Sequence, residues 1–362
     1  MKESGIQGPA SGAEGYPDVP TSTKAYLTHS RLVMMDKSLS VRHRVFSETV
    51  SKDVVKLSAT LASFLHAACP SYMATWLLPA LEMTGESPRR VGTIHKGLPQ
   101  GQEEIVHGLN TYVIGNRNNP QGMIIIYSDI FGLALPNNKL IADAYARSGE
   151  WLVYMPDFFK GDPVMLKFAD VVIPVDAAKQ SSFGFYTGLL ASAQSLMMWM
   201  MRHKEGLTNK VCMEFLTALR RKTPRYSKIG IAGFCWGGKY AIRTGLENNM
   251  IEMYDKKIPL VDAVVALHPS NLVFPDDVEN LVVPVSYGWG LDDIGVKIEQ
   301  KGKVEKVHAK EEAGRKVPDM EHKIYKPGCH GFAVRGNLDD PMERACLEDL
   351  LTQALDWFPR WL

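Results

Sequence analysis

Gly233-Phe234-Cys235-Trp236-Gly237-Gly238 lies between an apolar, strand-like run, Lys228-Ile229-Gly230-Ile231-Ala232, and a helix-like run from Lys239 to Glu247. A reactive side chain between glycines at a strand-to-helix turn is the layout of a nucleophile elbow. Glycine permits the tight turn and lets neighbouring backbone approach closely. The turn is expected to raise the Cys235 sulfur into solvent, with the positive end of the new helix directed at it. The competing reading is an inert cysteine buried in a core turn, as most free cysteines are.

The order of the downstream segments favours the reactive reading. Leu281-Val282-Val283-Pro284-Val285-Ser286-Tyr287 reads as a buried strand and runs into Gly288-Trp289-Gly290-Leu291-Asp292-Asp293. His322-Lys323-Ile324-Tyr325 is a short strand ending in Lys326-Pro327-Gly328-Cys329-His330-Gly331-Phe332. Nucleophile, acid and histidine thus each come after a strand, in the chain order of α/β-hydrolases. The chemistry needs all three: the imidazole takes the thiol proton, the carboxylate fixes its tautomer, and the thiolate attacks a carbonyl carbon. Of the paired aspartates, Asp293 fits the Gly-x-x-Asp spacing from Gly290, while Asp292 stays open as the alternative. Either could instead be a turn or cap residue.

Gly-Phe-Cys-Trp-Gly-Gly-Lys-Tyr at 233–240, with His330-Gly331-Phe332-Ala333-Val334-Arg335, resembles the dienelactone hydrolase family, particularly its fungal members. Gly108-Leu109-Asn110-Thr111-Tyr112-Val113, Ser128-Asp129-Ile130-Phe131-Gly132, Pro156-Asp157-Phe158-Phe159-Lys160-Gly161-Asp162-Pro163 and His268-Pro269-Ser270 add to the resemblance, which spans roughly residues 92–362. It implies one α/β-hydrolase domain, a Cys235-Asp293-His330 triad, no metal and no cofactor, and a reference reaction that opens a dienelactone to a keto acid. It also implies that Asp129, where the family carries a glutamate, modulates the nucleophile, though it is one methylene shorter. The N–H groups of Ile130 and Trp236 would form the oxyanion hole, each donor worth about 3 kcal/mol in the transition state. Arg335 resembles an arginine that grips the substrate carboxylate, displaced by one position from the family pattern. Its ordinary alternative is a surface salt bridge. A second such arginine has no counterpart, since residues 180–204 contain only Arg202.

Composition sets the bounds. The 362 residues carry 41 basic and 40 acidic side chains, so no broad field attracts nucleic acid or anionic membrane. Five cysteines at irregular spacing argue against a disulfide framework or structural zinc and favour a reducing, cytoplasmic setting. Cys329, next to His330, reads as packing.

The chain divides near residue 90, into an N-terminal extension (1–90) and a catalytic domain (91–362). Residues 1–24 are expected to be disordered, and Glu3, Glu14 and Asp18 exclude a signal peptide. The apolar stretch at 57–81 has the length of a membrane span, but His66, Pro70 and Pro79 interrupt it, so a pair of short helices, a badly ordered extension or a docked segment is expected in preference to a span. From residue 104, strands alternate with helices, which implies a mostly parallel sheet covered on both faces. Helices are expected at 188–202 and 207–220, the first with Met197, Met198, Met200 and Met201 as core filler or, alternatively, as an adaptable apolar wall over the active site. A last helix is expected at 341–358. These readings converge on a cysteine hydrolase of small esters or lactones. A catalytically weak binding or regulatory protein on the same fold, and redox sensing at Cys235, stand as alternatives.

Overall fold

The computed structural model describes residues 95–168, 195–224, 227–293, 295–329 and 331–362. The expectations for the extension at 1–90, and the position of His330, lie outside them.

The domain is built on an eight-stranded sheet. β1 (Gln102–Val106) and β2 (Leu109–Gly115) form a hairpin. Its two-residue turn places His107 and Gly108 at φ 48° and 84°, as a hairpin that keeps the strand twist requires. β3 (Gly122–Tyr127), β4 (Trp151–Pro156), β5 (Ile229–Phe234), β8 (Ala263–Leu267), β9 (Val285–Gly290) and β10 (Met320–Tyr325) complete it. β6 (Ile251–Met253) and β7 (Lys256–Ile258) make a separate small hairpin. The main sheet runs β1-β2-β4-β3-β5-β8-β9-β10; β2 joins β4 antiparallel, and every later pairing is parallel.

Because helices cover both faces, the central strands need not alternate apolar with polar. In β3, Met123, Ile125 and Tyr127 face one core, while Ile124 and Ile126 face the other. β5 likewise divides Ile229 and Ile231 from Ala232 and Phe234. One core is closed by α2 (Glu205–Lys222) through Cys212, Phe215, Leu216 and Leu219, and by α3 (Trp236–Thr244) through Tyr240, Ala241 and Ile242. The other is closed by α1 (Pro136–Arg147) and α6 (Pro341–Trp357), whose Tyr145, Leu350, Ala354 and Trp357 meet there. α6 begins as its sequence dictates: the Asp340 carboxylate accepts from the N–H groups of Met342 and Glu343, and Pro341 takes the first turn, where no N–H is needed. α4 (Glu299–Glu312) comes after β9, and the short α5 (Phe332–Arg335) comes after β10.

This topology fixes where chemistry can occur. After β3 the chain turns to β4 on one side, and β5 then returns on β3's other side. The loops after β3 and β5 therefore diverge, leaving a crevice at the carboxyl ends of the strands.

Three elements depart from expectation. β9 starts at Val285 instead of near Leu281 and runs through Gly288 to Gly290. A Cβ on Gly288 would lie 2.7 Å from the Leu267 side chain, and one on Gly290 would lie 2.0 Å from the Gly328 carbonyl oxygen. These glycines extend the strand by close packing. α3 begins at Trp236, directly after the cysteine, and ends at Thr244; residues Glu247–Asn249 are a separate single turn. Of the methionines, Met200 packs on the core, but Met198 and Met201 are exposed, so the run is only partly core filler. The helix expected at 188–202 is described only over 195–202. No helix among the described residues is long and apolar enough to cross a membrane.

Candidate active site

Cys235 sits at φ 52°, ψ −113°, a conformation that only glycine adopts without strain. The surrounding glycines show why the turn is built this way. A Cβ on Gly233 would stand 2.6 Å from both the Ala241 Cβ and the Gly237 oxygen. On Gly237 it would stand 2.1 Å from the Tyr127 oxygen, and on Gly238 2.8 Å from the Pro269 Cα. Strand, helix and the two neighbouring loops thus approach to backbone contact around the cysteine. The sulfur is not raised into solvent as expected, because Cys235 is only 4% exposed. The loop after β8 covers it: the thiol reaches the Ser270 Oγ at 3.7 Å, and the Ser270 N–H donates to the Cys235 carbonyl at 3.1 Å.

The loop after β3 packs on the first turn of α3. Asp129 is buried, which excludes a solvated turn carboxylate. Its Oδ1 accepts from the Phe131 N–H at 3.0 Å and the Asn138 Nδ2 at 2.9 Å, and Asn138 also donates to the Gly132 carbonyl at 2.9 Å. Ile130 is half-buried, and its carbonyl accepts from the Val164 N–H at 2.9 Å. Trp236 opens α3, where backbone N–H groups have no acceptor within the helix. Its indole packs on Phe159 and Tyr240 at centroid distances of 4.6 and 4.4 Å, and Phe159 continues to Trp199 at 5.3 Å and His203 at 5.5 Å.

The loops after β9 and β10 are bound to one another. The N–H of Leu291 donates to Tyr325 O at 2.9 Å and that of Asp292 to Pro327 O at 3.1 Å. Asp292 is exposed, whereas Asp293 is buried, with its Oδ1 accepting from the Gly295 and Val296 N–H groups at 2.8 Å each. His330 is outside the described residues, but its neighbours are held. Phe332 N–H donates to Cys329 O at 2.9 Å, Gly331 takes φ 78°, and the Phe332 ring lies 5.5 Å from that of His268. Cys329 is half-buried. Arg335, at the end of α5, is buried, which rules out the surface salt bridge. Its backbone neighbourhood is tied to α1, since the Asn137 Nδ2 donates to Val334 O at 2.9 Å and the His95 Nε2 lies 2.9 Å from Gly336 O.

Two features are not legible as functional in the sequence. Ser270 carries only the signal of its His-Pro-Ser tripeptide, with no role attached. Lys239 reads in sequence as the start of a helix, but it is buried in an ion cluster. Its Nζ meets Glu205 Oε2 at 2.6 Å, Asp277 Oδ2 at 3.4 Å and the Asn271 carbonyl at 2.8 Å. Arg243 closes the cluster on Asp277 and Glu205, at 2.5 Å each. Two cations and two carboxylates balance, the condition for burying charge at tolerable cost. Among the described residues no group of three or more His, Cys, Asp or Glu side chains is placed to hold a metal ion.

The sequence model of the dienelactone hydrolase family matches residues 109–362. The chain belongs to that family. It is accordingly a hydrolase, with the α/β-hydrolase fold that its sheet order displays. Among its relatives, the chain is 29% identical over 272 residues to hydrolase pyvD of Aspergillus violaceofuscus, covering 75% of this chain and 94% of that one. It is 25% identical to a carboxymethylenebutenolidase homolog of Xenopus tropicalis, covering 73% and 92%. A solved dienelactone hydrolase from Anabaena variabilis aligns with 73% of this chain and 99% of its own at 15% identity and a TM-score of 0.46. For this family member, every described residue expected at the site lies in the segments that follow the carboxyl ends of β3, β5, β9 and β10, with Trp236 opening α3 and Arg335 ending α5.

Proposed function

We propose that the protein hydrolyses small esters or lactones through Cys235, His330 and Asp293, by way of a thioester acyl-enzyme. The observation that carries this reading is the strained backbone of Cys235 at the end of β5, beside the crevice where the strand order reverses. Backbone strain of this kind persists where the surroundings impose it, and here the close contacts permitted by Gly233, Gly237 and Gly238 do so. Asp293 is preferred to Asp292 as the acid because it is buried and the N–H groups of Gly295 and Val296 fix its carboxylate.

In this reading His330 takes the thiol proton, and the Cys235 thiolate attacks the carbonyl carbon. Charge develops on the carbonyl oxygen and is met by the N–H groups of Ile130 and Trp236. Collapse breaks the bond to the leaving oxygen, which receives the proton from the imidazolium; in a lactone that oxygen stays tethered to the acyl group. A water molecule, losing its proton to His330, then attacks the thioester and returns the thiolate. Asp293 holds the ring and steadies its charged form. Thiolate chemistry favours acyl groups whose leaving oxygen departs easily, such as enol esters and enol lactones.

The test compares wild type, Cys235→Ala and His330→Ala on p-nitrophenyl acetate and on a dienelactone. Turnover that disappears in both variants supports the reading. A Cys235→Ala enzyme that retains wild-type turnover overturns it.

A further inference from the structure

We propose that Ser270 is a thiolate-holding residue: its hydroxyl is the hydrogen-bond donor that steadies the Cys235 sulfur once the proton has left. The proposal rests on Cys235 being the reacting nucleophile and adds a group that the triad does not contain.

The contact is direct. Ser270 is 1% exposed, and its Oγ lies 3.7 Å from the sulfur, within the range of hydrogen bonds to sulfur. At this separation either the thiol or the hydroxyl can donate to the other. A hydroxyl is both donor and acceptor, so on loss of the thiol proton it can turn and donate to the thiolate without any heavy atom moving. A donor already in place stabilises charge without reorganisation, which is the condition for an effective electrostatic contribution.

The loop that carries Ser270 is fastened to the elbow on both sides. The Cys235 N–H donates to Leu267 O at 3.0 Å, and the His268 N–H donates to Gly288 O at 2.8 Å. The Ser270 N–H returns to Cys235 O at 3.1 Å, and Pro269 packs so closely on Gly238 that no Cβ would fit there. On the far side the buried Lys239 Nζ holds the Asn271 carbonyl at 2.8 Å. His268 and Asn271 adopt φ 38° and 58°, so non-glycine residues at positive φ bracket the serine. Such conformations cost free energy and persist only where the surroundings impose them. The ion cluster of Lys239, Arg243, Glu205 and Asp277 thereby acquires a purpose. It anchors, from inside the domain, the strap that sets the serine hydroxyl against the sulfur.

The experiment tracks iodoacetamide alkylation of Cys235, read by peptide mass, across a pH series in the full-length wild type, Ser270→Ala and Ser270→Thr. Circular dichroism checks that each variant is folded. Ser270→Ala is expected to alkylate Cys235 about tenfold more slowly near neutral pH, the fold-change of a charge-assisted hydrogen bond at the weak end of its range. Its pH profile should move toward alkaline values, and Ser270→Thr, which keeps the hydroxyl, should restore the wild-type profile. A folded Ser270→Ala protein with an unchanged profile overturns the proposal, as does a threonine variant that behaves like the alanine one. Wild-type Cys235 that resists alkylation throughout the series also overturns it. Failure of the nucleophile reading looks different: the profile moves as stated, yet Cys235→Ala hydrolyses p-nitrophenyl acetate at the wild-type rate.

Discussion

Replacing Cys235 by glycine should not cost what shortening a buried side chain normally costs. The fair reference is Cys235→Ala, which also lacks the sulfur. At an unstrained buried site, glycine in place of alanine loses about 1 kcal/mol of backbone entropy and about 0.8 kcal/mol for the buried methyl, roughly 2 kcal/mol together. At φ 52°, ψ −113°, however, any Cβ is strained, by about 1–3 kcal/mol, and glycine alone relieves it. The two contributions nearly cancel, so the glycine variant is expected to match the alanine variant within about 1 kcal/mol, or exceed it. Urea unfolding of the two proteins, with midpoints compared at equal slope, measures the difference, and about 1 kcal/mol corresponds to roughly 2–4 °C in a domain of this size. Both variants should be inactive. A glycine variant less stable than the alanine variant by about 2 kcal/mol would show an ordinary, unstrained turn and refute the elbow reasoning.

Other positions give equally direct outcomes. Gly237→Ala drives a Cβ to 2.1 Å from the Tyr127 oxygen and 2.5 Å from that of Ser128. Backbone there must move, so activity is expected to fall about a hundredfold or more, as when an oxyanion donor is lost, whereas Gly302→Ala in α4, where nothing lies within 4 Å, should stabilise by about 1 kcal/mol in parallel urea titrations. Arg243→Met leaves the buried Asp277 and the half-buried Glu205 short of a partner and should cost about 3 kcal/mol, much of it recovered in the double variant with Asp277→Leu. Burial holds His308 at about 4, with the adjacent His322 lowering it further; burial likewise holds His322 at about 4, with Lys301 adding to the effect and Glu305 opposing it. The unfolded chain therefore takes up these protons first as pH falls from 6.5 toward 4, and stability should drop across that window by roughly 3 kcal/mol for the pair, after allowance for solvent screening. His322→Phe, keeping the ring stacked 4.8 Å from Tyr287, should flatten that slope in urea midpoints taken at each pH.

Local patterns make much of the architecture readable. The apolar run 229–234 ending in a glycine-bracketed cysteine could hardly be anything but a central strand feeding a tight turn, and β3 and β5 are buried on both faces as their unbroken hydrophobicity requires. The features that local pattern does not reveal depend on partners far away along the chain. The cysteine is covered by Ser270, thirty-five positions on, and no local signal tells whether a turn is roofed. Asp129 and Arg335 look like surface charges until the side chain of Asn138 and the packing of α5 enclose them. α1 buries Asn137, Asn138 and Asp143, against the rule that polar residues face water, because each meets a specific partner, Asn137 at Val334 and Asp143 at Tyr112. The span of β9 differs from expectation for a related reason. Gly288 and Gly290 read as strand breakers in isolation, but a Cβ on Gly288 would press on the Leu267 side chain, and at Gly290 the Gly328 backbone comes too close for any side chain.

The central claim is that the acyl group passes through the sulfur of Cys235. Rapid acid quench of the wild-type protein during turnover of p-nitrophenyl acetate, coupled to peptide mass spectrometry, tests it directly. An acetyl group on Cys235 that is released by neutral hydroxylamine, as a thioester is, is the predicted result. Acetyl carried by a different residue, with turnover undiminished in Cys235→Ala, would contradict it.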